Sequence, residues 1–223
     1  MAETGVPPAT PLRLVVLISG RGSNLAAILN AIETGTLPAQ VVAVVSNRAD
    51  AAGLEHAREK YIDTLALDAA DYPDRDSYDR ALAGLIDRFE PDLVVLAGFM
   101  RILTPGFVRH YAGRLINIHP SLLPHFRGLH THQRVLEAGH EEHGASVHFV
   151  TEELDGGPVI AQVRVPVRPG DDPESLAARV LAQEHRLYTR VIRWIAQGRV
   201  ALRDDGLYFD GQKISQPRQL EAG

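Results

Sequence analysis

The chain has 223 residues, 45% of them hydrophobic and 23% charged, with a formal net charge of -5 and no cysteine. That length suits one large domain or two small ones. The acidic balance argues against a dedicated nucleic-acid binder, which shows a basic footprint, and the absent cysteines exclude disulfides and thiolate metal sites. Residues 1–11 hold no signal-type apolar core and no apolar run reaches membrane-spanning length, so a cytoplasmic protein without membrane contact is expected.

Residues 1–11, with Pro7, Pro8 and Pro11 among small residues, read as a disordered lead-in. Residues 12–18 are apolar and β-branched-rich apart from Arg13, the pattern of a strand covered on both faces. Ser-Gly-Arg-Gly-Ser-Asn follows at 19–24, and Leu25, Ile28, Leu29 and Ile32 then recur at helical spacing until Gly35. A glycine turn between a buried strand and a helix aims free backbone N–H groups at an anion. A dinucleotide fingerprint would have a third glycine where Leu25 stands, and an acid where the second strand, 41–45, runs into Ser46-Asn47-Arg48. A P-loop would carry a lysine. There remains a loop suited to one phosphate, with Ser23 and Asn24 adding side-chain donors, or a tight turn that needs only small residues.

Alternation continues with helices predicted at 51–59 and 76–89, the latter burying Leu82, Leu85, Ile86 and Phe89, and a short strand at 64–67. Arg75 stands just before the second of these helices. Residues 93–98 form another buried strand, which 99–103 extend, interrupted by Arg101. The carboxyl end of such a strand is where open α/β sheets hold ligands. After a helix at about 106–112, an apolar strand delivers Asn117 and His119 two residues apart, just before Pro120. Alternation puts both side chains on one face. An amide can donate to a developing oxyanion and an imidazole can carry a proton near neutral pH, the pairing that acyl transfer to an amine requires. For an Asn-x-His pair alone, capping the sheet is the commoner role.

Further on, 135–138 reads as helical, 146–150 as an alternating strand, 151–158 as a turn and 159–165 as a strand. The β-α-β-α-β pattern with short loops implies an α/β fold: a doubly wound, mostly parallel, Rossmann-like sheet joined later by antiparallel strands. Ten histidines invite a metal, with His130-x-His132 and the i, i+3 pair His140 and His143 as candidates. Neither has the spacing of a metal helix and no thiolate supports them, so no metal is expected. Asp172 and Pro173 start a long helix with a stripe through Leu176, Val180, Tyr188, Val191 and Ile195, stopping at Gly198. Steps of four along that stripe land on Glu184, a buried carboxylate that needs a basic partner or a polar ligand. A small hairpin is expected at 200–214, then a loose tail over 215–223.

Five ordered motifs bring these features together: Ile-Ser-Gly-Arg-Gly-Ser-Asn at 18–24, Val-Val-Leu-Ala-Gly-Phe-Met-Arg-Ile-Leu at 94–103, Asn-Ile-His-Pro-Ser-Leu-Leu-Pro at 117–124, His-Gly-Ala-Ser-Val-His-Phe-Val at 143–150 and Glu-Leu-Asp-Gly-Gly-Pro at 153–158. In these the chain, over roughly residues 13–214, resembles the phosphoribosylglycinamide formyltransferases, folate-dependent transformylases of purine synthesis. The resemblance implies a single formyltransferase domain over 12–214, and formyl transfer from 10-formyltetrahydrofolate to glycinamide ribonucleotide. It implies Asn117, His119 and Asp155 as catalytic, and Gly22, Ser23, Asn24 and Glu184 at the ribonucleotide. Arg75, Met100, Arg101, Ile102, Leu103, Asn117, Val150, Glu152, Glu153, Leu154 and Asp155 would line the folate site. Where relatives often carry a polar residue one turn before Glu184, this chain has Leu181. Small-molecule substrates are the implied partners, without nucleic acid or membrane, and a homodimer stays open. The rival readings are a formyltetrahydrofolate deformylase, which normally has an extra domain ahead of the first strand, a methionyl-tRNA formyltransferase, which needs a further RNA-binding domain, and a non-catalytic folate or nucleotide sensor on the same scaffold.

Overall fold

β-Branched runs and amphipathic segments alternate along the chain, and in the computed structural model, which describes residues 10–221, they fold as β1 (Leu12–Ile18), α1 (Ser23–Glu33), β2 (Ala39–Ser46), α2 (Gly53–Arg58), β3 (Asp63–Ala66), α3 (Arg75–Asp87), β4 (Leu93–Leu96), α4 (Pro105–His110) and β5 (Leu115–His119). The second half adds α5 (Thr131–Glu137), β6 (Glu142–Phe149), β7 (Val159–Pro166), α6 (Pro173–Ala196), β8 (Val200–Arg203), β9 (Gly206–Phe209), β10 (Gln212–Lys213) and β11 (Arg218–Leu220). Eight strands make one sheet in the order β11-β7-β6-β5-β4-β1-β2-β3. From β5 to β3 all pairings are parallel. β6 is antiparallel to β5 and to β7, so the sheet is mixed but mostly parallel, as expected.

Helices cover both faces, which is why the central strands are apolar throughout. Leu14, Val16 and Ile18 of β1 join Leu25, Ile28, Leu54, Leu187 and Val191 in one core. Val15 and Leu17 join Tyr78, Leu82, Ile86, Phe107 and Tyr111 in the other. Each such buried aliphatic side chain contributes about 1.5–3 kcal/mol by leaving water. The direction of winding reverses between β1 and β4, and in open α/β sheets a crevice opens outside the carboxyl ends at that point.

α6 starts where expected. Asp172 accepts from the Ser175 amide at 2.7 Å, and Ser175 Oγ accepts from the Asp172 amide at 3.0 Å. It ends at Gly198, which takes φ 69°, a left-handed stop that favours glycine. Tyr188 is fully buried on its inner stripe, and its hydroxyl reaches the carbonyls of Leu96 at 2.9 Å and Ile116 at 3.2 Å. That contact ties the helix to β4 and β5, and so places Glu184, one turn earlier, near their carboxyl ends.

Several boundaries differ from expectation for identifiable reasons. β4 does not extend through 99–103: Gly98 turns the chain with φ 79°, and the Ser19 amide donates to its carbonyl at 3.1 Å. Arg75 is the first residue of α3 and does not precede it, because Asp74 is the cap and accepts from Ser77. α5 begins four residues before 135 and β6 four residues before 146. The region 200–214 is a three-stranded sheet and not a lone hairpin. The tail over 215–223 is not loose throughout, since β11 pairs in parallel with β7. Of the expected lead-in, residues 1–9 lie outside the described residues. Among those described, no helix is long and apolar enough to cross a membrane.

Candidate active site

β1, β4 and β5 are parallel neighbours, so the glycine turn after β1, the segment after β4 and His119 at the end of β5 emerge along one edge of the sheet. Strands stand about 4.8 Å apart, so these three segments form one continuous rim. Asn117 and His119 point to the same face, with His148 of β6 directly opposite Asn117 in register.

His119 and Asp155 are almost fully enclosed, their side chains 7% and 9% exposed. The ring's Nε2–H donates to the Phe126 carbonyl at 3.0 Å. Its Nδ1 lies 3.5 Å from Asp155 Oδ2, which also accepts from the Gly128 amide at 2.9 Å. Asp155 adopts a left-handed conformation with φ 48°, the backbone inversion that swings its carboxylate back toward the strand. The turn carrying it is gripped from outside by ion pairs of Glu152 with Arg109 at 2.7 Å and of Glu153 with Arg127.

His148 is a site residue that the sequence reading passed over. Its Nδ1–H donates to the Phe149 carbonyl at 2.9 Å, which leaves Nε2 as an acceptor, and Asn117 Nδ2 donates to it at 3.2 Å. Burial lowers the pKa of His148, so the ring stays neutral and keeps that lone pair. Asn117 is thereby oriented with one N–H committed and the other left for a ligand. Only the register of β5 against β6, thirty-one residues apart in sequence, could have revealed this.

Beside Asn117 lies a cavity of about 110 Å³. Arg101, Ile102, Leu103, Val150, Glu152, Glu153, Leu154 and Asp155 line it with Asn117 and His148, so most of the expected folate-lining set converges. Two members do not. Met100 is 70% exposed, its amide held by Ser19 Oγ at 2.7 Å. Arg75 stands behind the segment and donates to the Ile102 carbonyl at 2.6 Å, bracing this wall.

At the other end of the rim, Gly22 caps α1 with φ 71° and brings no side chain to its first-turn N–H groups. A Cβ there would lie 2.7 Å from Gly53 Cα, so the close approach of α2 as well as the dihedral demands glycine. One hydrogen of the Asn24 side chain is already committed beside this turn: its Nδ2 donates to Glu184 Oε2 at 2.9 Å. Glu184 is 8% exposed, and burial raises its pKa while the Asn24 hydrogen bond works in the opposite direction. The partner of the buried carboxylate is thus an amide. Behind His119, His143 Nε2 and His132 Nδ1 are 3.0 Å apart, with burial and neighbouring imidazoles pushing the His143 pKa down to about 4.

An amide and an imidazole thus stand together at a strand end beside a buried carboxylate, with a glycine turn on the same rim of a doubly wound scaffold. The chain belongs to the formyl transferase family, which it matches over residues 12–192. Over 203 residues it is 57% identical to the phosphoribosylglycinamide formyltransferase of Escherichia coli (strain K12), covering 91% of this chain and 96% of that protein. The solved phosphoribosylglycinamide formyltransferase of Coxiella burnetii superposes with a TM-score of 0.91 at 48% identity, covering 94% of this chain and 99% of that one. A formyltetrahydrofolate deformylase of Pseudomonas syringae is also similar in structure, with a TM-score of 0.83 at 30% identity, covering 90% of this chain but 66% of that one.

Proposed function

We propose that this protein transfers the formyl group of 10-formyltetrahydrofolate to the amine of glycinamide ribonucleotide, a step of purine biosynthesis. The observation that carries the reading is the 57% identity with the Escherichia coli enzyme across nearly its whole length, and the enclosed Asn117, His119 and Asp155 supply a matching chemistry. The ribonucleotide phosphate sits at the first turn of α1, on the N–H groups of Gly22, Ser23 and Asn24, where the helix dipole favours an anion. Glu184 accepts from its ribose hydroxyls. Leu181 offers no side-chain polar contact there, so binding relies on those groups and on backbone.

The folate ring enters the cavity behind Asn117. At about 110 Å³ that cavity is smaller than the roughly 300 Å³ of the smaller ligand pockets, so the turn over Glu152–Asp155 moves outward to admit it, while its base at Gly157 stays packed against the Phe149 carbonyl. The acceptor amine then attacks the formyl carbon, and the carbonyl oxygen becomes an oxyanion that takes the free N–H of Asn117. His119 Nε2–H is committed to Phe126, so Nδ1 is the atom that exchanges the proton between the attacking amine and the leaving folate nitrogen. The Asp155 carboxylate beside it stabilises the positive ring at that stage.

The test is to incubate the protein with 10-formyltetrahydrofolate, with and without glycinamide ribonucleotide, and to follow release of tetrahydrofolate. Release that depends on the ribonucleotide supports the assignment. Release without it supports a deformylase, and none in either case supports a sensor or another acceptor.

A further inference from the structure

The strand pairings set four polar residues in one row across the sheet: His119 of β5 opposite Ser146 of β6, Ser146 opposite Gln162 of β7, and Gln162 beside Gln219 of β11. Four adjacent strands span about 14 Å, so the row runs from the reactive imidazole to the edge of the sheet. Its first three members are buried at 6%, 0% and 5% exposure, where unpaired polar groups are costly. These are paired through one network.

Ser146 Oγ donates to the Ser121 carbonyl at 2.6 Å and accepts from the Leu123 amide at 3.0 Å. Gln162 Nε2 gives its two hydrogens to the Leu123 carbonyl at 2.8 Å and to Ser146 Oγ at 3.0 Å. That hydroxyl has then used its one hydrogen and both lone pairs. The remaining amide oxygen of Gln162 accepts from Gln219 Nε2 at 3.3 Å. A carbonyl can only accept, so Leu123 fixes which way the Gln162 amide faces, and a donor on β11 reinforces that choice.

Ser146 and Gln162 both reach the turn that follows His119, at Ser121 and Leu123. The turn begins with the Ser121 amide donating to the His119 carbonyl at 2.9 Å. It continues through Ser121 Oγ to the His125 carbonyl at 2.7 Å, and ends at Phe126, whose carbonyl holds the imidazole Nε2–H. A shift of Leu123 therefore displaces Phe126 and rotates the ring relative to Asp155. We propose that Gln162 is a positioning residue for the His119 imidazole, and that the carboxyl-terminal strand β11 supports it through Gln219.

This inference deepens the formyl-transfer reading and rests on it. The experiment compares the full chain with Gln162→Leu, Gln219→Glu and Gln219→Lys, measuring kcat and KM for formyl transfer per folded molecule. Gln219 is exposed, so its variants fold even if Gln162→Leu does not. Gln219→Glu sets an acceptor against the Gln162 oxygen and favours a flipped amide, whereas Gln219→Lys keeps a donor. The expected result is a tenfold or greater fall in kcat for Gln162→Leu with ribonucleotide KM within twofold, a threefold or greater fall for Gln219→Glu, and parent-like kcat for Gln219→Lys. Equal kcat in the two Gln219 variants overturns the role of β11. A Gln162→Leu kcat within threefold of the parent overturns the role of Gln162. If the parent transfers no formyl group, the functional reading fails, and ¹⁵N-histidine spectra still decide this inference. They are assigned with His119→Ala: the His119 ring signal moves in Gln219→Glu if the inference is right and stays in place if it is wrong.

Discussion

Asn117 gives one amide hydrogen to His148, and in the proposed reaction it presents the other at a fixed angle, a preorganisation that costs nothing at the moment of reaction. Replacing His148 by Leu keeps the volume but removes the acceptor. Turnover should fall about tenfold to a hundredfold with little change in ribonucleotide KM, as for a misaligned oxyanion donor, and steady-state kinetics on both substrates check this. Glu184 makes a different prediction, about stability. Burial raises its folded pKa above the ordinary 4.5, so the folded chain holds that proton more tightly than the unfolded one. The stability linked to it is full below pH 4.5 and is lost as pH rises through the folded value. Glu184→Gln removes the buried charge, and its melting temperature should exceed the parent's by a few degrees at pH 8, the gap closing below pH 4.5. Scanning calorimetry at the two pH values measures it, while a raised ribonucleotide KM in the same variant tests the ribose contact.

Among the elements, the turn from Thr151 to Pro158 carries Asp155 and forms one wall of the cavity. Its outer acids are tied only by surface ion pairs, worth up to about 1 kcal/mol each, and Leu154 is half exposed. Its base is fixed, because a Cβ at Gly157 would lie 1.8 Å from the Phe149 carbonyl oxygen. Hydrogen exchange should find the amides of 152–156 poorly protected in the free protein and slowed on binding a folate analogue, while β6 and β7 stay unchanged. Equal protection with and without the analogue would contradict a moving turn. Gly157→Ala should lower folate affinity by displacing the whole turn, with less effect on the ribonucleotide, as paired binding titrations would reveal.

For the molecule as a whole, the doubly wound half was legible because its central strands β1, β2 and β4 are largely apolar runs, and β1 and β4 each lead into a glycine. Asn117 and His119 could be paired from alternation alone, and Glu184 stood out as a carboxylate on an apolar stripe. What stayed hidden depends on pairing between distant strands. The His148 contact to Asn117 and the row from Ser146 to Gln219 need register, which local pattern does not carry. Arg218-Gln219-Leu220 has no strand signature and is held by main-chain pairing with β7. Met100 sits in an apolar run that reads as core, yet Gly98 turns it outward. In the proposed reaction Asn117, His119 and Asp155 move a formyl group from a folate to an amine. A single-turnover experiment with an isotopically labelled formyl group tests it most directly. The parent should pass the label into the ribonucleotide with one tetrahydrofolate released per label, and His119→Ala should do so at least a hundredfold more slowly with ribonucleotide affinity kept. Label recovered as formate, or undiminished transfer in that variant, would contradict it.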